Sequence, residues 1–342
     1  MAKRTAIRAA RVDDRPIFDV MLAIWGYSAL LVANKIRLFD LLAERALTIE
    51  EVCAAKKIAR RPAQALLSVC SSLGLVFFQG GRYSLTALSE DYLVSSSPTY
   101  YGWFFDAWLP IIPVWSPESL LKAVMTDNPQ GPFGDPTGAF AAWHAEQAEN
   151  FTRAMHSASL APALAWPKLV DLSSYRTMLD IGGGSGAHSI GALNQWPDLR
   201  AIVIDQPVIC KLAAEFAERY SLAERISTHP MDFFLKQFPP ADVHFYGMIF
   251  HDWPPDRCGL LARKSFESSA TGGRIIIHEM LFNDDRTGPF PVAAFNVDML
   301  VAMPGQQYSG LEITQMLQEA GFTNIEVKST IGYWSIITGV KP

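Results

Sequence analysis

Met178-Leu179-Asp180-Ile181-Gly182-Gly183-Gly184-Ser185-Gly186 reads as a strand that runs into a glycine-rich turn and opens a helix. Glycines let the backbone pass close to a ligand, and the helix that follows points free N–H groups at it. A dinucleotide loop would share these features, so the deciding residue is Asp180, which stands before the first glycine. A carboxylate there repels a pyrophosphate and suits a cationic amino-acid head group. A second acid, Asp205 in Ile204-Asp205-Gln206-Pro207, ends the next strand about 20 residues on, where it can accept both hydroxyls of a ribose. Asp232-Phe233-Phe234 follows the third strand position and puts an acid and aromatics where an adenine ring is expected. Three acids at successive strand ends fit S-adenosylmethionine better than NAD.

Around this turn the pattern is α/β. Apolar runs at Thr177–Ile181, Ala201–Ile204, Val243–Ile249 and Arg274–His278 alternate with helical segments, the signature of a parallel sheet covered on both faces. Asn324–Thr330 and Trp334–Val340, joined around Ile331-Gly332-Tyr333, read as two antiparallel strands closing the sheet edge. Tyr246-Gly247-Met248-Ile249-Phe250-His251-Asp252-Trp253 sets His251 at the C-terminal end of a strand, in the crevice where open α/β sheets bind ligands. Glu279 ends the neighbouring strand, where it can hold the second ring nitrogen of His251 and stabilise the imidazolium. The task for such a base is modest. A phenol of pKa about 10 is roughly three units from ionisation at neutral pH, so taking its proton costs about 4 kcal/mol. The methyl on a sulfonium is already activated and needs only an in-line approach. His278 points to the face opposite Glu279 and reads as structural.

The N-terminal third differs. Thr48-Ile49-Glu50-Glu51 is a capping box opening a helix, Arg61-Pro62 starts another that Gly74 ends, and Leu75–Phe78 and Arg82–Leu85 are short strands around Gln79-Gly80-Gly81. Helix, helix, hairpin is the order of a winged helix. Ser95-Ser96-Ser97-Pro98 is a linker, after which Tyr100, Tyr101, Trp103, Phe104, Phe105, Trp108 and Trp115 fall within sixteen residues. Such density builds a core, and it also builds a flat apolar pocket. A loop at Asn128–Gly138 precedes a helical stretch from Ala139 to about Leu160. The expected domains are 1–98 (dimerisation), 99–160 (a helical aromatic connector to the acceptor pocket) and 161–342 (cofactor binding and catalysis).

A chain of 342 residues with 49% hydrophobic and 18% charged residues can bury two cores, which excludes disorder, collagen and coiled coil. The apolar stretch Val20–Ala33, between Asp19 and Lys35, is shorter than the roughly 18 to 20 residues that cross a bilayer, so it reads as a core or interface helix and no membrane role is expected. Met-Ala-Lys-Arg-Thr-Ala-Ile-Arg at the start is basic without an apolar run and cleavage site, which points to the cytoplasm. Cys53, Cys70, Cys210 and Cys258 show no C-x-x-C pair, which fits reduced thiols and argues against disulfides and zinc. The first hundred residues carry net charge +4, and Lys56-Lys57 and Arg60-Arg61 precede a recognition-helix position, the pattern of a DNA-binding regulator. The overall charge of −5 and the apolar faces of the adjoining helices favour a dimer interface, with no nucleic-acid partner.

Taken together, these residues resemble the class I S-adenosylmethionine-dependent small-molecule O-methyltransferases, similar to the caffeic acid, hydroxyindole and bacterial natural-product enzymes. The resemblance covers nearly the whole chain and is carried by Leu179–Gly186, Asp205-Gln206-Pro207, Asp232-Phe233-Phe234, His251-Asp252-Trp253, Gly272-Gly273-Arg274 before Glu279, and Glu319-Ala320-Gly321-Phe322. It implies a Rossmann-like seven-stranded sheet, a winged-helix domain that makes an intertwined homodimer, and secondary metabolism. By position it implies His251 as general base with Glu279 as its partner and Asp252 beside it. The cofactor set is Asp180, Gly182, Gly184, Gly186, Asp205, Gln206, Asp232, Phe233 and Ser159, with S-adenosylhomocysteine as the product. The small-molecule acceptor is expected among Trp103, Phe105, Trp108, Phe151, Met155, Trp253, Asn296, Met299 and Met303, with Asn296 or Asp298 reading a polar group; no metal is assigned. Two positions depart from the family. Gly305-Gln306-Gln307-Tyr308-Ser309 stands where Gly-Lys/Arg-Glu-Arg-Thr is usual, so the second carboxylate flanking the histidine is absent, and Gly247 stands where plant members often carry Lys. These departures keep a runner-up open: methylation of the C3 of a 2-oxo acid, with a metal held partly by the His-Asp pair. A cofactor-binding scaffold without turnover is disfavoured by the presence of both His251 and Glu279.

Overall fold

The computed structural model describes residues 10–131 and 145–342; the basic N-terminal residues and the expected helix start at Ala139 lie outside the described residues. The chain divides into two compact units between Asp106 and Ala107, inside the aromatic segment.

The N-terminal unit holds α1 (Arg15–Lys35), α2 (Leu38–Glu44), α3 (Ile49–Lys56), α4 (Arg60–Ser72), β1 (Val76–Gln79), β2 (Arg82–Leu85) and α5 (Ala87–Tyr92), with α6 (Gly102–Trp108) at its end. The expected capping box forms in full: Glu51 N–H donates to Thr48 Oγ1 at 3.2 Å, and Thr48 N–H donates to the Glu51 carboxylate at 2.7 Å. Two of the orphan donors of α3 are satisfied in this way. β1 and β2 pair antiparallel, and Leu47 bridges to Tyr83 on the far side of β2. Leu31, Phe39, Leu42, Val52, Leu67, Val76 and Tyr83 form the core of the unit. In contrast, α1 turns Ile17, Val20, Ile24 and Trp25 outward, each more than half exposed. The expectation that this segment is too short for a membrane needs correcting. It forms a 21-residue helix, the one among the described residues long and apolar enough to cross a bilayer by length and composition. Helical pattern runs past Asp19 to Arg15, because one charged residue on a helix surface does not interrupt its hydrogen bonding.

In the C-terminal unit a 3₁₀ segment (Leu109–Trp115), α7 (Pro117–Thr126) and α8 (Ala145–Ala165) precede a seven-stranded sheet. Its strands are β3 (Thr177–Ile181), β4 (Arg200–Asp205), β5 (Ile226–Pro230), β6 (Val243–Gly247), β7 (Arg274–Met280), β8 (Thr323–Ser329) and β9 (Trp334–Val340), in the order β5-β4-β3-β6-β7-β9-β8. The first five run parallel, and β9 enters antiparallel between β7 and β8. The helices between the strands are α9 (Ala187–Gln195), α10 (Pro207–Arg219), α11 (Pro255–Ser268), α12 (Phe290–Ala302) and α13 (Gly310–Ala320). The central strands β3, β6 and β7 are buried almost throughout, as continuous apolar runs between two helical layers must be. Edge strand β5, Ile-Ser-Thr-His-Pro, is mostly exposed and therefore lacks the apolar run by which the others are read. Chain order reverses between β3 and β6, and that crevice at the strand ends is where such sheets bind ligands. Two strand ends differ from expectation: β6 stops at Gly247 and Met248 turns to φ 56°, whereas β7 carries Glu279 inside the strand.

Candidate cofactor and methyl-acceptor site

The turn from β3 into α9 needs its glycines. Gly182, Gly184 and Gly186 take φ of 66°, 56° and 74°, the left-handed region that side chains disfavour. A Cβ on Gly182 would lie 2.4 Å from Ile249 Cδ1 and 3.6 Å from the Phe233 ring, whereas one on Gly184 would meet nothing within 4 Å. The turn is thus packed behind and open in front. Gly184 N–H and Gln206 N–H donate to the two oxygens of Asp205 at 3.0 and 2.7 Å, tying the turn to the end of β4. Each carboxylate oxygen keeps a second lone pair, enough for a pair of hydroxyls. Burial raises Asp205 to about 6 against the pull of these two N–H groups.

Asp180 is buried beneath the turn. Its Oδ2 accepts from Ser189 Oγ at 2.7 Å, and its Oδ1 has no hydrogen-bond partner among the described residues. Burial, with nearby Asp205 adding to it, lifts this carboxyl to about 6. A bound cation would supply the missing partner and draw the acid back toward ionisation, so the residues present fit an amino-acid head group and a sulfonium. The exposed Asp232 works locally. Its Oδ1 accepts from Phe234 N–H (2.8 Å) and Leu235 N–H (3.2 Å), and Lys264 on α11 donates to the carbonyls of Phe233, Phe234 and Lys236 at 2.6 to 2.9 Å. The loop bearing Phe233 is therefore held from both ends. Phe151, Met155 and Ser159 recur every four residues and share one face of α8. His156, which the sequence did not single out, places Nδ1 2.8 Å from Ser185 Oγ of the glycine turn and Nε2 2.9 Å from Tyr220 OH, stacked 4.1 Å above Phe216. No periodicity marks it, because its partners are remote in the chain.

His251 lies in a single 3₁₀ turn, Phe250–Asp252, and is 5% exposed. The partner expected for its ring is not the one found. Glu279 Oε1 accepts instead from the backbone N–H groups of Ile249, Phe250 and His251 at 3.1, 2.7 and 3.3 Å, so the acid carries the turn and not the imidazole. Its reach from within β7 leads to the main chain because that turn begins as soon as β6 ends. The ring nitrogens face Gln307 Nε2, 2.8 Å from Nδ1, and Asp252 Oδ1, 3.3 Å from Nε2. Gln307 occupies the position read from the sequence as a missing carboxylate. Burial pushes His251 down to about 4 and Glu279 up to about 7, and burial with Glu279 and Asp298 nearby holds Asp252 well above the usual carboxylate range.

The acceptor residues separate. Trp103 and Phe105 belong to the N-terminal unit, and Phe105 is part of its core, which corrects its expected pocket role. Trp253 is part of the core of the C-terminal unit and packs edge-on to Phe234 at 4.6 Å and Phe233 at 6.4 Å. Asn296 Oδ1 accepts from the main-chain N–H of Gln307 at 2.8 Å, so it holds the segment that faces His251. In the C-terminal unit Phe151 stacks on Trp108 and Trp108 on Trp115, each at 6.4 Å. Trp115 and Phe295 pack against Met299, Ala302 and Met303, and the Phe295 ring lies 5.4 Å from that of His251. A wall of rings and thioethers thus leads to the imidazole. On the opposite face of β7, His278 donates to or accepts from Thr330 Oγ1 at 2.9 Å and meets His188 edge-on at 5.3 Å, while a Cβ on Gly247 would lie 2.5 Å from the His188 ring. Gly247 leaves the room that His188 fills. Among the described residues no three His, Cys, Asp or Glu side chains are grouped to hold a metal ion.

Comparison with known proteins gives the family and the fold. Residues 118–323 match the O-methyltransferase domain family and residues 18–95 the O-methyltransferase dimerisation domain. The chain is 31% identical over 329 residues to the 3-hydroxy-5-methyl-1-naphthoate 3-O-methyltransferase of Streptomyces sahachiroi, covering 94% of each. It is 29% identical to the acetylserotonin O-methyltransferase of Bos taurus, over 91% of this chain and 93% of that one. The crystal structure of human N-acetylserotonin methyltransferase in complex with S-adenosylmethionine superimposes with TM-score 0.82 at 26% identity, covering 98% of this chain and 99% of the other.

Proposed function

This chain belongs to the O-methyltransferase family and is an S-adenosylmethionine-dependent methyltransferase, and on that premise we propose that His251 is the general base for a hydroxyl on a flat aromatic acceptor. The observation that carries this reading is the buried imidazole at the sheet crevice, with the ring wall of Phe151, Trp108, Trp115 and Phe295 leading to it. S-adenosylmethionine, when bound, supplies a methyl already activated by positive sulfur. Asp180 and Asp205 hold its head group and ribose, Phe233 flanks the adenine, and Ser159 and Met155 line the α8 side. The ring wall stacks the acceptor and excludes water, and Met299 and Met303 grip its edge with soft side chains. His251, kept neutral by burial, takes the hydroxyl proton on a ring nitrogen while Glu279 fixes the turn that aims it. The acceptor oxygen then bonds to the methyl carbon as the carbon–sulfur bond breaks and its electron pair stays on sulfur.

We assign residues 1–98 to dimerisation, 99–160 to the acceptor connector and 161–342 to cofactor binding and chemistry. The chain carries a dimerisation domain, and the exposed apolar face of α1 suits a homodimer interface better than DNA or a bilayer. Four free cysteines, three of them buried, suit the reducing cytoplasm. The test is His251→Ala, with methyl transfer to a panel of phenols and naphthols and cofactor affinity by calorimetry. Turnover should fall by at least about a hundredfold with cofactor affinity kept. Full activity would remove His251 from the chemistry and leave alignment alone as the mechanism.

A further inference from the structure

The Gln307 side chain has one place to go. The residue is fully buried, and its backbone is pinned at both ends: the main-chain N–H donates to Asn296 Oδ1 at 2.8 Å and the main-chain carbonyl accepts from Arg286 at 3.0 Å. On one side Gly305 leaves no room for a Cβ, which would lie 2.0 Å from His251 O and 2.5 Å from Trp253 N. On the other, Tyr308 OH donates to Trp253 O at 2.7 Å. The segment is clamped on the turn bearing His251, and the Gln307 amide meets Nδ1 at 2.8 Å. We propose that Gln307 is a positioning residue for His251 and that, by presenting a neutral amide where an acid would compensate a charged ring, it restricts the enzyme to acceptors whose hydroxyl is already acidic. Phenols conjugated to a carbonyl and enols of 1,3-dicarbonyls are such acceptors. The proposal rests on His251 being the base.

An amide carries a donor and an acceptor at one end. With Nε2 toward the ring, His251 Nδ1 accepts and its Nε2 bears the proton, facing Asp252 Oδ1 at 3.3 Å. With the amide turned over, Oε1 accepts from Nδ1–H, and the ring proton sits on Nδ1 so that Nε2, beside Asp252 Oδ1, carries the lone pair that can take the acceptor proton. Oε1 has no other hydrogen-bond partner among the described residues, so turning breaks none. Once the proton arrives, Gln307 accepts a hydrogen bond from the imidazolium but brings no negative charge to offset it. The other titratable groups around the ring are Asp252, Glu279 and Asp298, with the Cys258 thiol and Tyr308 phenol behind the turn. Burial with Glu279 and Asp298 nearby holds Asp252 toward its neutral form, and Glu279 is turned to the N–H groups of the turn, so none of the three sets a carboxylate anion against the ring as an acid at position 307 would. A base whose conjugate acid is poorly compensated depends on the acidity of the group it deprotonates.

The test compares wild type, Gln307→Glu, Gln307→Met and His251→Ala on substituted phenols with pKa from about 7 to about 10, with pH profiles of kcat/KM and cofactor affinity. Wild type should favour the most acidic phenols by about a hundredfold or more. Gln307→Glu should reduce that preference at least about tenfold and move the acid limb of the profile to higher pH. Gln307→Met should lower kcat about tenfold or more with cofactor affinity unchanged. An unchanged preference and acid limb in Gln307→Glu overturn the proposal; if that variant fails to bind cofactor, a Gln307→Met enzyme with wild-type kcat and pH profile does so. An active His251→Ala enzyme defeats the base assignment itself, whereas an inactive one beside unaltered Gln307 variants defeats only the role of Gln307.

Discussion

Glu279→Gln isolates what this buried acid does for the fold. The amide retains an oxygen for the three backbone N–H groups that Oε1 now satisfies, so the turn keeps its support. What disappears is a proton equilibrium. Burial raises Glu279 from an ordinary 4.5 to about 7, so the folded chain holds a proton there that the unfolded chain releases between those values. Its stabilisation is fully present below pH 4.5 and is lost as pH rises through 7. A difference of that size is worth about 3 kcal/mol, a large share of the roughly 5–15 kcal/mol that holds a domain together. The new amide N–H groups add an unsatisfied-donor cost of about 1–3 kcal/mol that does not vary with pH. Urea unfolding followed by tryptophan fluorescence at pH 5, 6, 7 and 8, at one protomer concentration, separates the two effects. The stability of Glu279→Gln relative to wild type should rise by about 2.5 kcal/mol from pH 5 to pH 8. Parallel profiles, or a relative gain by wild type as pH rises, would refute the reasoning.

Gly305→Ala forces a Cβ into the His251 backbone and should cost about 1–3 kcal/mol of stability and at least tenfold in kcat, while calorimetry finds cofactor affinity unchanged because the glycine turn is elsewhere. Lys264→Met releases the carbonyls of Phe233, Phe234 and Lys236 and should raise the KM for S-adenosylmethionine about threefold to tenfold with kcat held, read from initial rates. The two substrates should show different acid limbs. Asp180 and Asp205, raised to about 6, gain protons below that pH and weaken cofactor capture, so kcat/KM for S-adenosylmethionine falls there. With saturating cofactor, kcat/KM for the acceptor should persist until His251 protonates near pH 4, and a fall near 6.5 would count against a desolvated base.

Local rules carried much of the reading. The capping box at Thr48, β2 and the glycine turn depend on neighbours in sequence and stand where their residues place them, whereas β1 is shifted by one residue from Leu75–Phe78 to Val76–Gln79. β5 carries no apolar run to fix its bounds, because an exposed edge strand needs none. Phe105 and Trp253 were assigned to the pocket by composition, but an aromatic ring satisfies a core and a pocket equally, and only packing decides which. His156 gave no signal, since its hydrogen bonds reach 29 and 64 residues along the chain.

By itself the sequence determined the parallel sheet and the glycine turn with Asp180 before it and Asp205 at the next strand end, because periodicity, glycine at positive φ and an acid at a strand terminus are short-range constraints. Tertiary structure decided which groups touch the imidazole. Glu279, adjacent in the sheet, spends its oxygen on three N–H groups of the turn, and Gln307, brought from 56 residues away by the clamp at Gly305, takes the ring nitrogen. Hydrogen bonds are satisfied atom by atom within about 3 Å, and no spacing along the chain specifies which atom arrives.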